Sequence, residues 1–188
     1  MQETGLTKIL RSKNSVFTFK EILLLWDETN EDLAKRRISY YVKVGKLYRL
    51  RKGIYAKDKN YDRFELATKI YTPSYISFET VLAPAGVIFQ FYSQVFCASY
   101  LTREIFVNNQ KYSYRRIKDA ILTNQKGLDL KENYWIALPE RAFLDLLYLE
   151  KKYYFDNLTV LNKKKVFEIL PIYKSEALEK RIKEIYGT

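Results

Sequence analysis

Histidine is absent from this chain of 188 residues, and cysteine occurs once, as Cys97. Without an imidazole there is no Ser-His-Asp or Cys-His nucleophile activation, no histidine-ligated metal, and none of the commonest general base at neutral pH. A single cysteine excludes an internal disulfide and fits a reducing compartment; with histidine missing as well, it argues against a structural zinc site. No apolar run approaches the roughly 18–20 residues needed to span a bilayer. The opening Met1-Gln2-Glu3-Thr4-Gly5-Leu6 lacks the basic-then-apolar order of a secretion signal. No Gly-rich phosphate loop occurs, and no Gly-Ser-x-Asp run of the kind a nucleotidyltransferase needs. These absences predict a soluble, cytoplasmic protein with no catalytic residue, no cofactor, no metal and no membrane partner.

What is abundant is aromatic surface and positive charge. The 17 Tyr, 11 Phe and 2 Trp supply bulky material for a core, and tyrosine suits half-buried positions where the ring packs and the hydroxyl finds a partner. The formal net charge is +11, which favours a polyanionic partner. Residues 1–60 carry a net +7 and residues 61–188 a net +4. Within the first part, Leu33 to Lys57 holds nine basic side chains and no acidic one, a clustering beyond what the composition supplies.

The local pattern gives that cluster a shape. Thr4 to Arg11 reads as a first helix. In Phe17-Thr18-Phe19-Lys20-Glu21-Ile22, Thr18 and Glu21 have capping-box spacing, and Phe17 and Ile22 sit where a hydrophobic staple would close; a second helix is predicted over Phe19 to Trp26. After a polar turn at Asp27-Glu28-Thr29-Asn30, with Thr29 or Asn30 as cap, a third helix should run from Glu31 to Val44 and stop at Gly45. Its apolar positions Leu33, Ile38, Tyr41 or Val42, and Val44 should face the first two helices, with Arg37 near the buried edge. The opposite face presents Lys35, Arg36, Ser39, Tyr40 and Lys43. Leu47–Leu50 and Ile54–Ala56 read as a hairpin around Arg51-Lys52-Gly53, carrying Arg49, Arg51 and Lys52.

Helix, helix, turn, basic helix, hairpin is the order of a winged helix-turn-helix over residues 1–57. Such a third helix can enter the major groove of a duplex, about 12 Å wide, while the hairpin reaches flanking phosphates. Lys35, Arg36, Ser39, Tyr40, Lys43, Arg49, Arg51 and Lys52 are therefore the candidate double-stranded DNA contacts. A polar linker at 57–60 is followed by an α+β region over 61–188 with a small, mainly antiparallel sheet. Its predicted elements are a helix at Tyr61–Tyr71, an extended Pro73–Ser77 with Ser77 capping a brief helix, strands at Gln94–Tyr100, Glu104–Asn108, Gln110–Arg116 and Tyr134–Ala137, an apolar helix from Pro139 to Leu149, and two polar helices broken near Pro171. Arg115 and Arg116, with Tyr112 and Tyr114, read as a charged edge strand. Glu140 is assigned to the N-terminus of its helix, Cys97 to a buried strand, and Lys163-Lys164-Lys165 to a solvated helix start.

Three stretches resemble one family. Arg51-Lys52-Gly53-Ile54-Tyr55, Pro73-Ser74-Tyr75-Ile76-Ser77 and Pro139-Glu140-Arg141-Ala142-Phe143-Leu144-Asp145-Leu146-Leu147 occur in the order and spacing of AbiEi-like antitoxins of bacterial type IV toxin–antitoxin (abortive infection) systems. The resemblance covers roughly residues 5–150 and leaves out the tail beyond Lys151. It implies an N-terminal winged helix that represses its own operon at promoter repeats. It also implies a C-terminal antitoxin domain that counters a nucleotidyltransferase-like toxin without a stable complex, although family members include plain regulators with no toxin partner. Two further readings compete: a single-strand binder that stacks bases on its tyrosines, and a carboxylate-based nuclease or transferase.

Overall fold

A computed structural model describes residues 4–187; Met1-Gln2-Glu3, on which part of the leader reading rests, and Thr188 lie outside the described residues. The chain is α+β and divides into two compact units between Ile70 and Tyr71. Among the described residues no helix is long and apolar enough to cross a membrane.

In the N-terminal unit the helices start and stop where the side chains dictate. α1 (Gly5–Arg11) is capped by Thr4, whose hydroxyl accepts from the Thr7 amide. β1 (Val16–Thr18) runs straight into α2 (Phe19–Trp26), where the full capping box forms. The Glu21 amide donates to Thr18 Oγ1 at 3.2 Å, and the Thr18 amide donates to Glu21 Oε2 at 2.7 Å. Asn30 caps α3 (Glu31–Lys43) by accepting from the Leu33 amide at 3.0 Å. Val44 and Gly45 end α3: Gly45 adopts φ +69°, its amide donates to Val42 O at 3.1 Å, and the Lys46 amide donates to Tyr41 O at 2.8 Å. This paired closure needs a left-handed residue, which glycine supplies without a Cβ penalty.

β2 (Tyr48–Arg51) and β3 (Ile54–Ala56) then form an antiparallel hairpin, and β1 joins it in the order β1-β3-β2. That third strand was not foreseen, because Val16–Thr18 is short and doubles as the lead-in to α2. Ile9, Phe17, Ile22, Ile38 and Leu47 form the core, with Leu6, Trp26, Tyr41 and Tyr55 packed against it. The staple residues Phe17 and Ile22 thus meet as their spacing predicts. Of the apolar positions expected on α3, Val44 instead stands 44% exposed, while Ala34 is buried.

The expected boundary at 57–61 also moves, because α4 (Arg63–Ile70) belongs to the first unit. Glu65, fully buried, accepts from the amide and hydroxyl of Ser15 at 2.8 and 2.7 Å. Lys69 pairs with Glu65 at 3.1 Å and with the capping residue Glu21 at 2.9 Å, and donates to Val16 O. A buried carboxylate with these partners fixes α4 against β1, since leaving either charge unpaired would cost several kcal/mol.

The C-terminal unit is built on six strands: β4 (Ser74–Ile76), β5 (Val95–Ser99), β6 (Arg103–Val107), β7 (Gln110–Arg116), β8 (Leu128–Lys131) and β9 (Tyr134–Ala137), in the order β6-β7-β5-β4-β9-β8. The sheet is mixed. β4–β5, β6–β7 and β8–β9 pair antiparallel, whereas β5–β7 and β4–β9 pair parallel. Asn108 and Asn109, both with positive φ, make the β6–β7 turn. Around the sheet lie α5 (Glu79–Leu82), α6 (Asp119–Leu122), α7 (Pro139–Leu149), α8 (Lys163–Ile169), a 3-10 turn at Leu170–Tyr173, and α9 (Glu176–Tyr186), with α7 packed on α5 and α8.

Several expectations are corrected here. β7 is an interior strand: Tyr112 and Tyr114 are buried, and Arg115 pairs with Glu79 at 2.8 Å between the rings of Phe78 and Phe96. The edge is β6. Phe78, not Ser77, occupies the N-cap of α5, and Ser77 instead donates to Asp145. Glu140 does lie in the first turn of α7, as expected, and also accepts from the Asn162 amide at 3.0 Å, bridging to the start of α8. β8 went unforeseen because Leu128–Lys131 is mostly exposed and takes its strand character from β9.

Candidate nucleic-acid interface

All eight candidate contacts, Lys35, Arg36, Ser39, Tyr40, Lys43, Arg49, Arg51 and Lys52, are exposed, and all belong to α3 or the β2–β3 hairpin of the N-terminal unit. The burial of Ala34 and Ile38 on the opposite side of α3 is what turns them outward. In β2 the alternation is similar: Tyr48 and Leu50 are half-buried while Arg49 and Arg51 point to solvent. A register shift between Arg49 and Arg51 adds one residue to β2, which increases local twist. Gly53 turns the chain at φ +75°, and its carbonyl accepts from the Phe19 amide at 2.8 Å, tying the hairpin tip to the start of α2.

The electrostatics along α3 are uneven. The Lys35 ammonium lies 3.1 Å from Glu31 and 3.4 Å from Asp32, over the ring of Phe19. The Glu31 hydrogen bond, with Asp32 adding to it, holds Lys35 above its ordinary pKa. Arg37 does not lie at a buried edge as expected; it is exposed and paired with Glu28 at 3.2 Å. Arg36, Lys43 and Lys46 have no carboxylate within ion-pair distance among the described residues. Lys46, exposed in the turn that closes α3, was counted in the basic cluster but not among the contacts; its place directly after the helix stop is the signal that marks it. Tyr40 is 61% exposed, its ring tilted against Tyr41 at 5.8 Å.

A second constellation lies inside the C-terminal unit. Asp145 receives four donors: Arg141 Nε at 3.1 Å and Tyr173 Oη at 2.6 Å on Oδ1, Tyr75 Oη at 2.9 Å and Ser77 Oγ at 2.8 Å on Oδ2. Arg141 also donates to Tyr75 Oη and to the carbonyls of Ile121, Asn124 and Lys126. Burial pushes the Asp145 carboxyl up, opposed by the Arg141 charge, and pushes the hydroxyls of Tyr75 and Tyr173 well above their usual value. Burial also disfavours the Arg141 charge, but Asp145 and the two tyrosines more than offset it. Two of the three stretches that carry the family resemblance, 73–77 and 139–147, meet in this network.

Arg141 and Asp145 are fully buried, and every acceptor position of Asp145 is occupied. The arrangement holds β4, α7 and the 3-10 turn together. The sequence contained a signal for it: Arg141 and Asp145 stand four apart on a helix that is otherwise apolar after Glu140, the spacing of a side-chain pair. Tyr75, Tyr112, Tyr114 and Tyr173 are buried too, which removes them as base-stacking platforms. The Cys97 thiol is buried and its pKa raised. Among the described residues no group of three or more His, Cys, Asp or Glu gathers in a way that would hold a metal ion. No protein-family model matches the chain, and no curated protein matches it.

Proposed function

We propose that the chain is a sequence-specific double-stranded DNA-binding autorepressor whose first unit acts as a winged helix-turn-helix, and that it serves as the antitoxin of a type IV toxin–antitoxin pair. One observation carries the DNA-binding part. A single compact unit exposes the basic side chains of one helix and of the hairpin after it, the chain between Leu33 and Lys57 itself contains no acid, and Arg36 and Lys43 have no carboxylate within ion-pair distance among the described residues. α3 is the groove-entering helix on this reading, and the β2–β3 hairpin is the wing that follows the flanking backbone. The antitoxin part is supported by the family resemblance of the stretches at 51–55, 73–77 and 139–147.

Binding of the full chain to a labelled promoter duplex, titrated with salt, tests the first part. The logarithm of affinity should fall with the logarithm of salt at about 0.9 per phosphate contacted, and Arg36→Ala or Arg51→Ala should weaken binding by about 1–3 kcal/mol if a base contact is lost. Variants that bind as tightly as the wild type would place the contact surface elsewhere. Competition with a single strand of the same sequence separates this reading from single-strand binding. Co-expression with a nucleotidyltransferase-like protein encoded next to it tests the second part: restored growth supports an antitoxin, and unrelieved toxicity leaves a plain regulator.

A further inference from the structure

Resting on the duplex-binding reading, we infer that DNA is met by the C-terminal two turns of α3, with Tyr40 as the base-reading side chain and Asp32 setting the polarity of the approach. At about 100° per residue, Asp32, Arg36, Ser39, Tyr40 and Lys43 fall within one arc of roughly 100° along the exposed face of α3. Lys35 and Arg37 flank that arc on opposite sides. Both flanking cations are spent on carboxylates, Lys35 on Glu31 and Asp32 and Arg37 on Glu28, so Lys35, one of the eight candidate contacts, leaves the contact set on this inference. The stripe is therefore anionic at its N-terminal end and cationic from Arg36 onward, with Lys46 extending it past the helix stop.

The carboxylates at the start of α3 have a structural reason to be there, since Glu31 and Asp32 complement the helix dipole. They also make that end repel phosphate. With a rise of about 1.5 Å per residue, Asp32 lies roughly 16 Å from Lys43, beyond the screening length of about 8 Å at physiological salt. The two ends consequently act as separate electrostatic surfaces, and only one attracts a polyanion. In the middle of the attracting end, Tyr40 presents a ring and a hydroxyl to solvent, the one exposed large hydrophobic side chain of α3. An exposed phenol flanked by Arg36 and Lys43 has its neighbours for phosphates and itself for a base edge or a thymine methyl.

Anisotropy titrations of the full chain test this, using a duplex enriched from a randomised pool by the wild-type chain and an unrelated duplex of equal length. Arg36→Ala and Lys43→Ala should each flatten the salt slope by about 0.9, whereas Lys35→Ala leaves it unchanged. Asp32→Asn should tighten binding to both duplexes alike. Tyr40→Ala should lower the ratio of enriched to unrelated affinity by about tenfold and leave the salt slope intact. A Lys35→Ala slope as shallow as that of Lys43→Ala, or an undiminished ratio in Tyr40→Ala, overturns the inference while duplex binding stands. A wild-type chain that enriches no duplex overturns the duplex reading itself, before any variant is compared.

Discussion

Replacing Asp145 by alanine removes the acceptor on which four buried donors converge, and the structure sets the scale of the loss. Arg141 would keep only neutral partners, the Tyr75 hydroxyl and the carbonyls of Ile121, Asn124 and Lys126. A fully buried guanidinium stripped of its counter-charge costs about 3–5 kcal/mol. The hydroxyls of Ser77, Tyr75 and Tyr173 also lose their acceptor, at about 1 kcal/mol or more each where no substitute is within reach. Set against a typical domain stability of about 5–15 kcal/mol, Asp145→Ala should leave the C-terminal unit marginal or unfolded. Asp145→Asn keeps one acceptor oxygen and should cost less.

The chain has a convenient pair of reporters, since Trp26 lies in the first unit and Trp135 in the second. In urea titrations, a Trp26→Phe background reports the C-terminal unit and a Trp135→Phe background the N-terminal one. Asp145→Ala should shift the Trp135 transition to lower urea and leave the Trp26 transition in place. The double change Arg141→Met with Asp145→Leu should be less damaging than Asp145→Ala alone, because it removes the orphaned charge along with its partner. A loss below about 1 kcal/mol in Asp145→Ala, or a double variant worse than the single, would refute the claim that this pair holds the unit together.

Three further outcomes are expected. Gly5→Ala would place a Cβ 2.9 Å from the Trp26 indole, so the Trp26 transition should lose about 1–3 kcal/mol with the Trp135 transition unchanged. Cys97, buried with its pKa raised above the ordinary 9.0, should react with a thiol reagent only as the C-terminal unit opens; labelling at the rate of an exposed thiol contradicts its placement. The same group bears on pH. Its proton is lost first from the unfolded chain, so its contribution is intact below pH 9.0 and declines as pH rises further. The fall should approach 1.4 kcal/mol per pH unit for this one site, and Cys97→Ala should flatten the Trp135-reported stability profile between pH 9 and 10.

The helix ends of the first unit were legible because caps are local. Thr18 with Glu21, Asn30 with Leu33, and Gly45 each settle a boundary within four residues of chain. The same reasoning read α7 from Pro139 to Leu149. Strands were less legible where pairing, not pattern, makes them: β1 needs β3, and β8 needs β9. The Arg141–Asp145 network spans 70 residues from Tyr75, so its members could not be joined from the chain alone, although the helical spacing of Arg141 and Asp145 hinted at a pair. On α3 the exposed face was readable from period, but the neutralisation of Lys35 depends on which rotamers bring Glu31 and Asp32 to it.

Net charge by itself gives a poor map of where a polyanion would dock, and the two units show why. Residues 71–188 carry a net +4, yet much of their arginine is committed to the fold. Arg141 is buried in the Asp145 network, Arg115 lies between two phenylalanine rings with Glu79 and Glu150 as counter-charges, and Arg181 donates to the carbonyls of Leu147 and Glu150 at the end of α7. Arg141 and Arg115 supply little long-range field, since carboxylates compensate their charge within a few ångströms. In the first unit, by contrast, the arginines and lysines of α3 and the hairpin are exposed, and the acids that pair with Lys35 and Arg37 lie in the first turn of α3 or just before it. The attractive surface is accordingly smaller than the formal charge suggests and has a direction. That direction is why substitutions at Lys35 and at Lys43, eight residues apart on the same helix, should give different salt slopes.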